Sequence, residues 1–298
     1  MEGAPLRRLV RVPGDVRASV AFWRLTRGSR VPGWVFELVL LGALYGAYEL
    51  GRAMLESDLP TALVNGGDIL HWERSWHLTP EHALNQLMAH STPLAVISSY
   101  YYAALHYVVT PAVLIWMYRR RAEHYWIART SLAVSTALGL IGFYLLPTAP
   151  PRLLPGSGIR DTLADVHNWG WWSGDGSVPR GLGGLSNQFA AMPSLHVGWA
   201  LWCGVLLAWL ARPLWLRCLA ALYPVGTAVV VLATGNHYLL DVFAGVATMA
   251  VGTGLALLLR RLRRRPGAPP VDDLLGNDGN DKALIKHVIR TDCDQSLV

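Results

Sequence analysis

The chain has 298 residues, of which 52% are hydrophobic and only 15% charged, with 13 Trp and a formal net charge of +6. This balance is too poor in charge for a soluble globular domain and too apolar for a disordered chain, so both classes are excluded. The arginines gather in short groups that flank apolar runs, a pattern that suits a membrane surface and argues against nucleic acid as a partner.

Residues 1–32 read as a basic cytoplasmic N-terminal segment. The apolar run 33–51, which includes Glu37 and Glu49, begins too far into the chain for a signal peptide. It also lacks a small-residue cleavage site, so it is expected to be retained as a helix. Residues 52–92 form a first outer segment with amphipathic patches, ILHWERSWHL and EHALNQLMAH, expected to lie on the membrane surface. Within it Thr79-Pro80 is a helix start. Apolar runs follow at 93–118, 126–146, 195–211, 214–234 and 238–260, each near the length of about 20 residues that a span needs. Between the third and fourth spans lies a second outer segment, 147–194, rich in Gly and Pro and carrying HNWGWW at 167–172. A connection this long is usually functional, and its tryptophans suit an interface. Residues 263–298 read as a polar, disordered cytoplasmic tail. The expected fold is an all-α integral membrane protein with six transmembrane helices, in one membrane catalytic domain over 33–262. Cys203, Cys218 and Cys293 form no disulfide framework and read as fillers.

Basic residues set the orientation. Arg7 to Arg30 precede the first span, Arg119, Arg120, Arg121 and Arg129 lie between the second and third, and Arg212 and Arg217 flank the fourth-to-fifth turn. Arg260 to Arg265 follow the sixth. Only Arg52, Arg74, Arg152, Arg160 and Arg180 fall in the segments on the other side. The positive-inside rule then places both termini in the cytoplasm and the two outer segments outside, in a multi-pass cell-membrane protein.

The candidate chemistry sits at helix ends on that outer side. His237 and Asp241 are four apart, so on a helix they share a face. A carboxylate beside an imidazole fixes its tautomer and leaves the other ring nitrogen free to act, the wiring of a nucleophilic or general-base histidine. Asp241 is about one turn inside the apolar run, where a charge is expensive. His196 opens the fourth span behind Pro193 and Ser194, which are helix-start residues that leave backbone N–H groups open to an anion. Arg152, in PTAPPR at 147–152, has the planar fork that suits phosphate. A base with its orienting acid, a second histidine and an anion clamp together suggest phosphoryl transfer without a metal. His106, inside the second span, is either a packed polar residue or a lining of the headgroup cavity. Glu73 and Arg74 are candidates to meet a polyol headgroup. His71, His77, His82 and His90 crowd the first outer segment, but no HxxxH or HExxH is present. No metal and no cofactor is expected.

The order PTAPPR, PSLH, NHYLLD resembles the type 2 phosphatidic acid phosphatase superfamily, which places a basic first motif, PSGH and SRxxxxxHxxxD on a six-helix core. More closely, YLLPTAPPR, AAMPSLHVGW and TGNHYLLDVFAG resemble the branch that contains fungal inositol phosphorylceramide synthase and its bacterial relatives. The resemblance covers roughly 60–260. It implies that His237 is the nucleophile, that Asp241 orients it, and that His196 is the acid for the leaving group. It further implies that Arg152, with Ser194, binds phosphate. The sequence departs from the wider superfamily at Leu195, where Gly is usual, at Leu145 and Leu146, where the first motif has Lys, and at Val231, where the third motif has Arg. Arg180, Asn187 and Gln188 are candidates to replace the missing positive and polar partners.

The resemblance implies a lipid phosphate phosphotransferase or phosphatase acting through a phosphohistidine, and the inositol-transferring branch implies a phosphopolyol headgroup such as inositol phosphate. Its substrate would be a lipid phosphate or phospholipid drawn from the surrounding membrane lipids. A simple lipid or polyprenyl phosphate phosphatase uses the same histidines. A proton-coupled transporter, with His237 and Asp241 as a relay, is the alternative of another class, though clustering of the ionisable groups at one interface suits it less. Nothing in the sequence sets an oligomeric state.

Overall fold

The computed structural model describes residues 59–172 and 188–263, together with part of 35–50. The segments 1–32 and 264–298, and the candidates Arg180 and Asn187, lie outside the described residues. The described chain is almost wholly helical, with a parallel bridge between Thr148 and Ala190.

The helices are α1 (Leu59–Ser75), α2 (Pro80–Ala89), α3 (Thr92–Arg120), α4 (Ala122–Leu145), the short α5 (Thr162–Asp165), α6 (Leu195–Leu210), α7 (Leu214–Ala233) and α8 (Leu239–Arg263). Local signals explain the boundaries. Pro stands in the first turn of α2 and α3, and Pro213 precedes α7. The helix α8 has Asp241 in its first turn and Arg260, Arg261 and Arg263 in its last, which complements the helix dipole at both ends. Those arginines extend it three residues past the expected end at 260.

Among the described residues, α4, α7 and α8 are long and apolar enough to cross a membrane. The apolar α6 has 16 residues, about 24 Å of helix, which is less than a hydrocarbon core of about 30 Å. The 29-residue α3 is long enough but carries Tyr100, Tyr101, Tyr102 and His106 along its middle. Helical residues also occur between 35 and 50. There Glu37 pairs with Arg129 of α4 and accepts the Tyr125 hydroxyl at 3.0 Å, which explains an acid inside an apolar run.

The helix ends sort by chemistry. One end of the bundle gathers the C-termini of α4 and α7 with the N-termini of α6 and α8. The arginine groups at 119–121, 212–217 and 260–263 lie at the opposite helix ends. Between the ends, Val113, Met117, Tyr125, Trp202, Cys203 and Met249 pack as a core. The start of α8 meets the start of α6 backbone to backbone: the Ser194 amide donates to the Asp241 carbonyl at 3.0 Å. Only glycine fits at 245, because a Cβ there would stand 2.2 Å from the Ser194 carbonyl oxygen. Small residues at such a crossing let helices approach closely.

The two outer segments cover the gathered end. The first does more than lie on a surface: Glu73, Glu81 and Asn85 turn inward and are fully buried. Asn85 ties α2 to the second segment and to α7, donating to the carbonyls of Arg160 (3.0 Å) and Ala233 (2.9 Å) and accepting from the Arg160 amide (2.8 Å). In HNWGWW the tryptophans divide. Trp169 and Trp171 are exposed as an interface would have them, whereas Trp172 is fully buried and donates to the Leu163 carbonyl at 3.0 Å.

Candidate active site

The turn between α7 and α8 aims His237. The helix α7 ends at Thr234, after which the Gly235 amide donates to Leu232 and the Asn236 amide to Val231, the paired bonds of a Schellman motif. Gly235 takes the left-handed φ of 73° that this motif requires, and a Cβ there would also press on Ile159 and Arg160. The chain reverses here, and the buried His237 points back under the end of the bundle.

His237 Nδ1 lies 2.8 Å from the Ala191 carbonyl oxygen and 3.2 Å from Asp241 Oδ2. Both are acceptors, so Nδ1 carries the proton and Nε2 holds the lone pair. No hydrogen bond occupies Nε2 among the described residues. Asp241 is fully buried, and its Oδ2 also accepts the Tyr238 amide at 2.9 Å. One oxygen therefore orients the imidazole and caps the first turn of α8. The nearer partner of His237 is the Ala191 carbonyl, which no signal in the sequence marks.

His196 sits in the first turn of α6, its ring centroid 5.9 Å from that of His237. It stacks on Tyr102 of α3 at 4.4 Å and meets His106 edge-on at 4.5 Å. A narrow cleft adjoins it, lined by Tyr101, Tyr102, His106, Tyr223, Thr227 and Val231. His106 is buried on the wall of this cleft, beside His196.

Arg152 packs on the same turn. Its amide donates to the Gly235 carbonyl, Nε donates to Asn236 Oδ1 at 2.9 Å, and Nη1 pairs with Asp161 at 3.1 Å. These bonds fix the plane of the guanidinium and leave further N–H groups for an anion. Asn236 and Asp161, which hold it, were not singled out by sequence. An Asn directly before the motif histidine was the available signal for the first, and Asp161 offered none.

Ser194 is fully buried, and its hydroxyl has no partner among the described residues. Its amide is taken by the Asp241 carbonyl, so the amides free to meet an anion are those of the α6 first turn beyond it. Gln188 is half-buried in the turn before the Ala190 bridge. Glu73, a candidate for a headgroup contact, instead faces inward and accepts the Leu240 amide at 2.7 Å. Arg74 donates to the Ser157 carbonyl at 3.1 Å. Among the described residues no group of three or more His, Cys, Asp or Glu is arranged to hold a metal ion.

An all-helical bundle with membrane-length apolar helices and two histidines facing each other at one end defines a membrane protein with a polar site at its helix termini. Residues 67–255, well over half of the chain, match the family model described as the PAP2 superfamily. The chain belongs to that superfamily, the type 2 phosphatidic acid phosphatases, whose members are generally phosphatases acting on phosphate esters. No curated protein and no solved structure matches it.

Proposed function

We propose that this chain is a membrane-embedded enzyme that takes a phosphoryl group from a lipid phosphate ester onto His237 and passes it to water or to an alcohol. The observation that carries the reading is the fixed tautomer of His237: Nδ1–H is held between Ala191 O and Asp241, leaving the Nε2 lone pair as a nucleophile. In the first step Nε2 attacks phosphorus, the P–O bond to the leaving alcohol breaks, and His196 gives that oxygen a proton. In the second, His196 takes a proton from the incoming water or alcohol, its oxygen attacks phosphorus, and the P–N bond breaks. Arg152 and the first-turn amides of α6 offset the charge on the phosphoryl oxygens.

The resemblance of YLLPTAPPR, AAMPSLHVGW and TGNHYLLDVFAG to the inositol phosphorylceramide synthase branch favours transfer of a phosphopolyol headgroup over simple hydrolysis. The wider reading is a catalytic domain over 33–262 with six spans, both termini cytoplasmic and the histidines on the outer side of the cell membrane. It is supported by the arginine groups at the helix ends opposite the histidines. The test is phosphate release, and headgroup exchange with added free polyol, from mixed lipid phosphates by purified protein in detergent. Activity that survives His237→Ala would sink the phosphohistidine route.

A further inference from the structure

We propose that Glu73, paired with Glu81, is a positioning residue for the His237–Asp241 pair, its buried carboxyl clamping the first turn of α8. This inference rests on the reading of His237 as the group that receives phosphoryl. Glu73 stands on α1, far from the three motifs in sequence. It is 1% exposed and Glu81 is fully buried, a placement that is expensive for a carboxyl and that a helix lying on a surface would not need. The Leu240 amide is one of the first-turn donors that a helix cannot satisfy itself, and Glu73 Oε1 accepts it at 2.7 Å. Asp241 Oδ2 accepts the Tyr238 amide at 2.9 Å. Two carboxyl groups from different helices therefore pin the short stretch that runs from His237 to Asp241.

Glu73 Oε2 and both Glu81 carboxyl oxygens are buried with no hydrogen-bond partner among the described residues, a placement that favours the neutral, protonated form. Burial pushes Glu73 up to about 8, and burial also raises Glu81; the charge of Asp241 adds to both. The groups that face the pair are Asp241 on α8, Tyr238 in the turn before it, and His82 beside Glu81 on α2. Protonated, Glu73 accepts the Leu240 amide without placing a second charge next to Asp241. When Glu73 ionises, its charge repels the Asp241 carboxylate across the first turn of α8 and weakens the clamp that holds His237.

Glutamine at 73 keeps an acceptor for the Leu240 amide but cannot ionise; alanine keeps no acceptor. The expected result is a kcat about 10–100-fold lower in Glu73→Ala with little change in KM. Hydrogen exchange across residues 239–242, measured by mass spectrometry on the full chain in detergent, should also be faster. Glu73→Gln should restore both near neutral pH, and at about pH 9 it should retain more of its activity than the parent does. An unchanged kcat in Glu73→Ala, unchanged exchange over that turn, or a glutamine variant no better than alanine would overturn the proposal. If Glu73→Ala does not fold, the glutamine pH profile decides, and a profile superimposable on the parent's counts against it. The exchange measurement needs no substrate. It stands apart from the His237→Ala assay, so failure of the phosphohistidine reading and failure of the clamp are separately visible.

Discussion

Asp241 Oδ2 accepts from both His237 Nδ1 and the Tyr238 amide, so its removal acts on chemistry and on the helix start together. Asp241→Asn presents one carbonyl oxygen where two donors converge. The expected outcome is a folded protein whose turnover falls by about 10²–10⁴-fold, the usual worth of positioned acid–base chemistry, read as phosphate release. His237→Ala should abolish turnover altogether. His196→Ala should slow esters of poorly departing alcohols far more than activated aryl phosphates, because only the former need a proton as the bond breaks. Equal losses on both would assign His196 a role other than the acid.

At the scale of elements, two crossings decide the site. The α6–α8 crossing depends on Gly245, whose added Cβ would meet the backbone oxygen of Ser194 at 2.2 Å. That oxygen cannot swing away as a side chain would, so Gly245→Ala should destabilise the fold by about 1–3 kcal/mol and move His196 off His237. Gly254, on the same helix with nothing within 4 Å of its would-be Cβ, is the control. There alanine should be neutral or slightly stabilising, and thermal unfolding in detergent compares the two. The α1–α8 contact carries a pH signature. Burial raises Glu73 from the ordinary carboxylate range to about 8, so the folded state holds a proton that the unfolded chain releases at lower pH. The stability this confers is complete below the ordinary range and is lost as pH climbs toward about 8. Melting temperature should fall across that window in the parent and fall less in Glu73→Gln; parallel curves would contradict the assignment.

For the molecule as a whole, the charge on a transferring phosphoryl group would fall to His237, His196, Arg152 and helix-start amides. Activity should therefore withstand excess chelator and yield to vanadate, which resembles the five-coordinate transition state. Loss on chelation that magnesium restores would count decisively against this site. Orientation is open to labelling. In a background lacking Cys203, Cys218 and Cys293, a cysteine at the exposed Trp169 should react with a membrane-impermeant thiol reagent in intact cells. One at Arg120 should stay silent until the membrane is opened, and the reverse pattern would invert the topology.

The helical class, the apolar runs that form α4, α7 and α8, the superfamily and the shared helical face of His237 and Asp241 were legible in the sequence. Each depends on local information: runs of apolar residues, the four-residue spacing of a helical face, and Pro or Ser at helix starts. The partners were not legible, because they come from elsewhere in the chain. Ala191 O on His237, Asn236 and Asp161 on Arg152, Tyr102 and His106 against His196, and Glu73 on Leu240 all arise when separate segments close over one end of the bundle. Trp172 shows the same limit, since a tryptophan in an outer loop looks interfacial until packing takes it inside. Glu73 shows it most plainly. A carboxyl in an amphipathic patch reads as a solvated charge, and only the arrival of the α8 N-terminus, with an amide that its own helix cannot satisfy, makes burying that carboxyl the better arrangement.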